Sequence, residues 1–175
     1  MTALDDTRQW LHRAVIGLNL CPFAKAVLAR GQVRLVHSSA LDAETLATDL
    51  LHELQLLVCA DPTQIDTTLL VHPQALREFE EFNDFLDIAD ALLVELGLEG
   101  KIQIASFHPD YRFAGTGADD ITNATNRSPH PTLHLLRESS IDDAVAAFPD
   151  AAAIYERNQE TLRRLGPEGW RRLWD

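Results

Sequence analysis

Cys21 stands immediately before Pro22, and proline is favoured at the first position of a helix. The Cys21 sulfur is therefore expected near a helix N-terminus, where unpaired N–H groups favour the thiolate. A nucleophile of this kind needs a base. His108 follows the apolar stretch Lys101–Phe107, and Asp110 comes two residues later. The chemistry this suggests is covalent attack by Cys21, with His108 as general base and Asp110 orienting the imidazole. The plainer alternative is packing, because free cysteine is among the most buried residue types. Cys59, beside Leu56, Leu57 and Val58, is expected in the core.

A second group is built for anions. Asn126, Arg127 and Ser128 run into Pro129, and the stretch Thr132–Glu138 reads as a helix. A guanidinium, a hydroxyl and free helix N–H groups suit a carboxylate or phosphate. His134 completes this ligand-binding set, and a small anionic metabolite is the partner it implies. The competing expectation is that Arg127 pairs with Asp110, Asp119 or Asp120 and only pins a loop.

Metal and cofactor signals are weaker. His130 and His134 would share a helix face if the helix began by Pro131, and His108 with Asp110 could then complete a zinc site. No His-Glu-x-x-His or paired Cys-x-x-Cys supports that, so no metal ligand is assigned, and a His-based metal-binding protein stays an alternative. His134, flanked by Leu133, Leu135 and Leu136, equally fits a hydrogen-bonded core histidine. Cys-Pro alone is too common a dipeptide to indicate haem. Gly115-Thr116-Gly117 lacks the Lys-Ser/Thr that makes a phosphate loop. No cofactor is identified.

The elements that must position these residues are legible from periodicity. Helix is expected over Leu4–Leu18, Phe23–Ala29, Asp42–Ala60 and Phe79–Leu96, and strand over Gln32–His37, Thr67–Val71 and Lys101–Phe107. Alternation of helix and strand predicts right-handed crossovers between parallel strands. His37, His72 and His108 would then gather at one sheet edge, where clefts of open α/β sheets lie. Leu46, Leu50, Leu54, Leu69, Val71, Leu92, Ile102 and Ile104 should form one core. Between His108 and Pro131 regular periodicity stops. Its aromatics Tyr111 and Phe113 predict an ordered loop that walls the principal cleft. Helix is expected again over Thr132–Glu138, Ile141–Ala147 and Ile154–Leu165, with Gly166 as a stop and Trp170 and Trp174 covering core surface.

Composition narrows the classes. The chain has 175 residues, 27 acidic against 15 basic, for a formal charge of −12. A phosphate-backbone surface needs clustered Lys and Arg, so nucleic acid is not the expected partner. The hydrophobic share of 46% excludes wholesale disorder. Two cysteines cannot build a disulfide framework, and no apolar run approaches the roughly 20 residues that span a bilayer. The first residues lack the basic-then-apolar order of a signal peptide. The expectation is a cytoplasmic protein off the membrane, in one domain over residues 1–175, of unspecified oligomeric state.

Three segments together are distinctive: GLNLCPFA at 17–24, SFHPDY at 106–111, and NRSP at 126–129 running into LHLLRE at 133–138. They resemble an uncharacterised bacterial family, a domain of unknown function, over nearly the whole chain. Tyrosine is usual in that family where this chain has His130. The resemblance implies no activity, substrate or cofactor. The reading is thus an α/β layered sandwich: a small, mainly parallel sheet of at least three strands with helices packed on it, and a helical C-terminal part. Its expected function is an enzyme acting on a small anionic metabolite through Cys21, His108 and Arg127. The alternative is a non-catalytic binding or assembly module.

Overall fold

The computed structural model describes residues 2–148 and 150–175, Ala151 by its backbone alone. Helix α1, Ala3–Trp10, opens with a capping box in which Thr2 and Asp5 satisfy each other's backbone N–H groups. It runs directly into a π-helical stretch, Leu11–Ile16. Its wide turns end at Gly17, where an added Cβ would lie 2.2 Å from the Arg13 carbonyl oxygen. Only glycine fits there. Helix α2, Ala24–Ala29, leads to strand β1, Val33–His37. Helix α3, Ala43–Cys59, is capped by Asp42, and strand β2, Thr67–Val71, is buried throughout. Helix α4, Phe79–Glu95, precedes strand β3, Ile102–Phe107. These elements follow the sequence pattern within a residue or two.

The next element does not. Thr132–Arg137 is strand β4, not the start of a helix, and it lies between β2 and β3 in the order β1-β2-β4-β3. β1 and β2 pair in parallel, whereas β4 runs antiparallel to both β2 and β3. The sheet is therefore mixed rather than mainly parallel. β1, β2 and β3 still point the same way, and β4 returns between them. The prolines at 129 and 131 bias their preceding residues toward extended backbone. Strand pairing then places Leu133 and Leu135, both fully buried, on one face and His134 on the other. Helix α5, Glu138–Ala147, follows at once. Helix α6, Ile154–Arg172, kinks at Gly166, whose φ is +68°, and continues beyond it.

Two apolar layers flank the sheet. On one face Leu46, Leu50, Leu54 and Leu57 of α3 meet Phe82, Phe85 and Ala89 of α4 over Leu70, Ile102, Leu133 and Leu135. On the other, Trp10, Leu11, Ala14 and Val15 cover Leu69, with Val33, Leu35, Phe107 and Trp170 around them. Leu69 thus belongs to the opposite core from Leu50, because neighbouring strand residues face opposite ways. A part-buried ion pair ties α3 to β1. Arg34 donates from Nε and Nη2 to the two carboxylate oxygens of Glu53 at 2.8 and 3.0 Å.

Candidate functional site

Parallel β1, β2 and β3 end at one edge, and His37, His72 and His108 stand there as the alternation predicts. Their side chains do not converge on Cys21. Phe107 packs edge-on against Trp10 at 5.2 Å, so His108, one residue later, turns to the other face. There its ring lies 5.1 Å from Phe82 and 5.5 Å from Phe79. Cys21 packs with the Trp10 cluster. The sheet separates the two, and the expected Cys21–His108 pair is not assembled.

His108 is also occupied. Its Nδ1 accepts from the Asp110 backbone N–H at 3.0 Å, which leaves Nε2–H to donate to the Leu76 carbonyl at 3.3 Å. Asp110 thus contacts His108 through its main chain rather than as a carboxylate orienter. Burial lowers the His108 pKa, in the direction of the neutral ring that these two bonds require. Beside it His72 is fully buried, with Nδ1 against the Ala75 carbonyl at 3.0 Å and Nε2 without a partner among the described residues. Burial pushes its pKa down to about 4. Both bonds end on the 75–76 backbone, where Leu76 takes a left-handed φ of +54°.

His134 faces the Trp10 side. Thr67 Oγ1 donates to the Leu135 carbonyl at 2.7 Å, so the His134 Nε2–H donates to that hydroxyl at 2.6 Å. Burial pushes its pKa down to about 4. His134 is the hydrogen-bonded core histidine, remote from the ligand role. His130 Nε2 meets the Asp6 carboxylate at 3.0 Å. With His130 in a loop and His134 on a strand, the two share no helix face. Among the described residues no three His, Cys, Asp or Glu side chains are grouped to hold a metal. Cys59, expected in the core, is exposed at the end of α3.

The 108–131 segment is built as the sequence suggests, with short polar side chains bonding nearby backbone. Asn123 is its fully buried centre. Its Oδ1 accepts from Phe113 N–H and the Thr116 hydroxyl, and its Nδ2 donates to Gly117. Asp120 caps a 3-10 turn, Ile121–Asn126. The Asn126 Nδ2 donates to the Ser106 carbonyl, and its own carbonyl accepts the His108 N–H. Arg127 donates from Nε to Tyr111 and from Nη2 to Ala118, both carbonyl oxygens. It pins the loop through backbone rather than through an aspartate. Its Nη1 has no partner among the described residues.

Two clefts result. One, of about 250 Å³, is lined by Trp10, Pro109, Arg127, Ser128, Pro129, Trp170 and Trp174. The Ser128 hydroxyl turns away and donates to the His130 carbonyl at 2.6 Å. The other is larger, about 390 Å³, and is lined by Gly17, Leu18, Asn19 and Pro22 with Ile154, Arg157, Asn158, Thr161 and Arg164 of α6. The loop walls the smaller cleft and not the larger one. Of the residues singled out from sequence, Arg127 and Ser128 reach a cleft; Cys21, His108, Asp110, Asn126 and His134 line neither. Sequence reasoning missed the three tryptophans as cleft residues, since indoles at helical spacing read as core. It also missed the α6 stripe at 154, 157, 158, 161 and 164, whose polar members follow the same spacing as an apolar face.

These features define an α/β protein with a mixed four-stranded sheet between helical layers and a tryptophan- and arginine-lined cleft at its carboxyl edge. The chain belongs to the family described as protein of unknown function (DUF1415), whose model matches residues 2–172. No curated protein and no solved structure matches it. No helix among the described residues is long and apolar enough to cross a membrane.

Proposed function

We propose that the protein binds a small planar anion, an aromatic carboxylate in chemical class, in the cleft beside the 108–131 loop. One observation carries this reading. The chain has three tryptophans, and all three line the same cleft together with a single charged residue, Arg127. The Trp170 and Trp174 indoles, over the buried Trp10, offer flat apolar surface for stacking. Arg127 Nη1, which the bonds to Tyr111 and Ala118 leave free, offers a charge-assisted donor to a carboxylate. Trp174 keeps 37% of its surface exposed at the rim. A cleft of about 250 Å³ is smaller than the pockets that take drug-sized ligands, so one ring system is the appropriate scale.

Binding is favoured over catalysis because the lining consists of Trp, Pro, Arg and Ser, with no general base among them. The Cys21 and His108 centre has no geometric support, since the sheet lies between its members. The acidic balance favours a small ligand over nucleic acid, and two free thiols fit a reducing, cytoplasmic setting.

Tryptophan fluorescence reads this cleft directly. Benzoate should quench it saturably, whereas benzamide and acetate should do so at least tenfold more weakly. Trp174→Leu should weaken benzoate without disturbing the loop. Equal responses to benzoate and benzamide would refute the anion requirement, and no saturable response to benzoate would refute the site.

A further inference from the structure

The larger cleft carries a second, independent inference. We propose that the cleft between the 17–22 turn and α6 binds a ligand with two linked oxyanions, of the diphosphate class, held between Arg157 and Arg164.

The charge distribution is the first reason. In a chain of formal charge −12, two guanidinium groups line one cleft and no carboxylate does. Neither forms an ion pair with any described residue, although the other helix-end arginines, Arg171 and Arg172, both pair with Glu168. Glu160 lies between them in sequence, yet it is exposed and lines no part of the cleft. An unpaired cation pair on an acidic protein creates a local positive field that recruits anions.

Geometry is the second reason. Arg157 and Arg164 are seven residues apart on the unkinked part of α6, about 10 Å along the axis. Ile154, Asn158 and Thr161 fill the stripe between and below them. The spacing matches two anionic groups in one molecule better than a single small ion. Arg157 is steadied by the Phe148 ring, 5.1 Å from its guanidinium carbon. Asn158 is anchored by donating to the Leu20 carbonyl at 2.8 Å, which ties α6 to the turn opposite.

The turn is the third. Gly17 cannot carry a side chain, and Asn19 adopts a left-handed φ of +53°. Leu20 and Cys21 both direct their N–H groups to the Val15 carbonyl, closing the wide π-helical end. This holds the Asn19 side of the cleft in fixed relation to α6. Asn19 and Thr161 bring an amide and a hydroxyl to the wall, and neither side chain has a hydrogen-bond partner among the described residues.

Isothermal calorimetry on the full chain at constant ionic strength tests the proposal, with pyrophosphate and orthophosphate as probes. Pyrophosphate should bind saturably, and orthophosphate at least tenfold more weakly. Arg157→Ala and Arg164→Ala should each weaken pyrophosphate tenfold or more, while Arg171→Ala leaves it unchanged. Circular dichroism checks that each variant is folded, and both arginines are exposed, so folding should survive. Equal affinities for the two probes would overturn the two-oxyanion assignment. Absent binding, or binding indifferent to Arg157 and Arg164, would overturn the site. Benzoate quenching of the tryptophans should be unaffected by Arg164→Ala, so this proposal and the one for the smaller cleft fail separately.

Discussion

Phe107 and His108, one peptide bond apart, anchor opposite cores: the Phe107 ring meets Trp10 at 5.2 Å and the His108 ring meets Phe82 at 5.1 Å. The pleat of β3 thus carries His108 away from the face on which Cys21 packs. Two residues that look complementary in sequence become mutually inaccessible through strand alternation alone.

Thiol labelling should reflect this. Cys59 is exposed and Cys21 is half-buried against the Trp10 cluster. Iodoacetamide should modify Cys59 first, and His108→Ala should leave the Cys21 rate unchanged. Mass spectrometry of the two labelled peptides measures both rates. A Cys21 rate that fell with His108→Ala would restore the nucleophile–base pairing.

Arg127→Ala should loosen the 108–131 segment. The substitution removes charge-assisted donors from the Tyr111 and Ala118 carbonyls, at a cost of about 1–3 kcal/mol. Limited proteolysis should then cut within residues 111–120 far faster than in the parent chain. Arg127→Lys should not restore protection, because one ammonium cannot reproduce the planar fork that reaches both carbonyls.

Acid should destabilise the protein through its buried imidazoles. His72, held at a pKa of about 4, is protonated near 6.5 once unfolded. Because the folded value lies below the unfolded one, the stabilising contribution is complete above pH 6.5. It is lost as pH falls from 6.5 toward 4, where the unfolded chain takes up a proton that the folded chain excludes. For His72 this amounts to roughly 3 kcal/mol across the window. His134, also near 4, acts in the same direction. Denaturant midpoints between pH 7 and 4 should fall accordingly, and His72→Phe should flatten the slope. An unaltered slope in that variant would disconnect His72 from acid sensitivity.

Gly17→Ala should be costly for a different reason. A methyl group would sit 2.2 Å from the Arg13 carbonyl oxygen, a backbone atom with no rotamer to yield. Overpacking of this kind costs about 1–3 kcal/mol, and the 17–22 turn would have to shift away from α6. A thermal scan should show a clearly lower midpoint, together with weaker pyrophosphate binding. A midpoint within a degree of the parent would mean that the π-helical turn relaxes freely.

The amphipathic helices α3 and α4 and the strands β1, β2 and β3 were readable from the chain because each carries enough residues to show its period. Leu46, Leu50, Leu54 and Leu57 repeat every three or four positions, and the β2 run Thr67–Val71 is β-branched and aliphatic and buried throughout, because both faces are covered. The ordered loop was legible too, through its Asn, Asp and Thr side chains, whose hydrogen bonds are local. What tertiary structure alone decided was long-range. Thr132–Arg137 is as long as β3, but its leucines at 133, 135 and 136 suit helical and alternating spacing equally. The free N–H and C=O groups along the edges of β2 and β3 chose the strand, because pairing there satisfies the backbone on both sides. That insertion made the sheet mixed and put His134 beneath Thr67 instead of beside Arg127. The clefts were likewise invisible in one dimension. Trp10 and Trp174 line one cleft only because the C-terminal end of α6 packs over the Trp10 cluster. Arg157 and Arg164 face Asn19 only because a π-helical turn and one obligatory glycine bring that backbone alongside them.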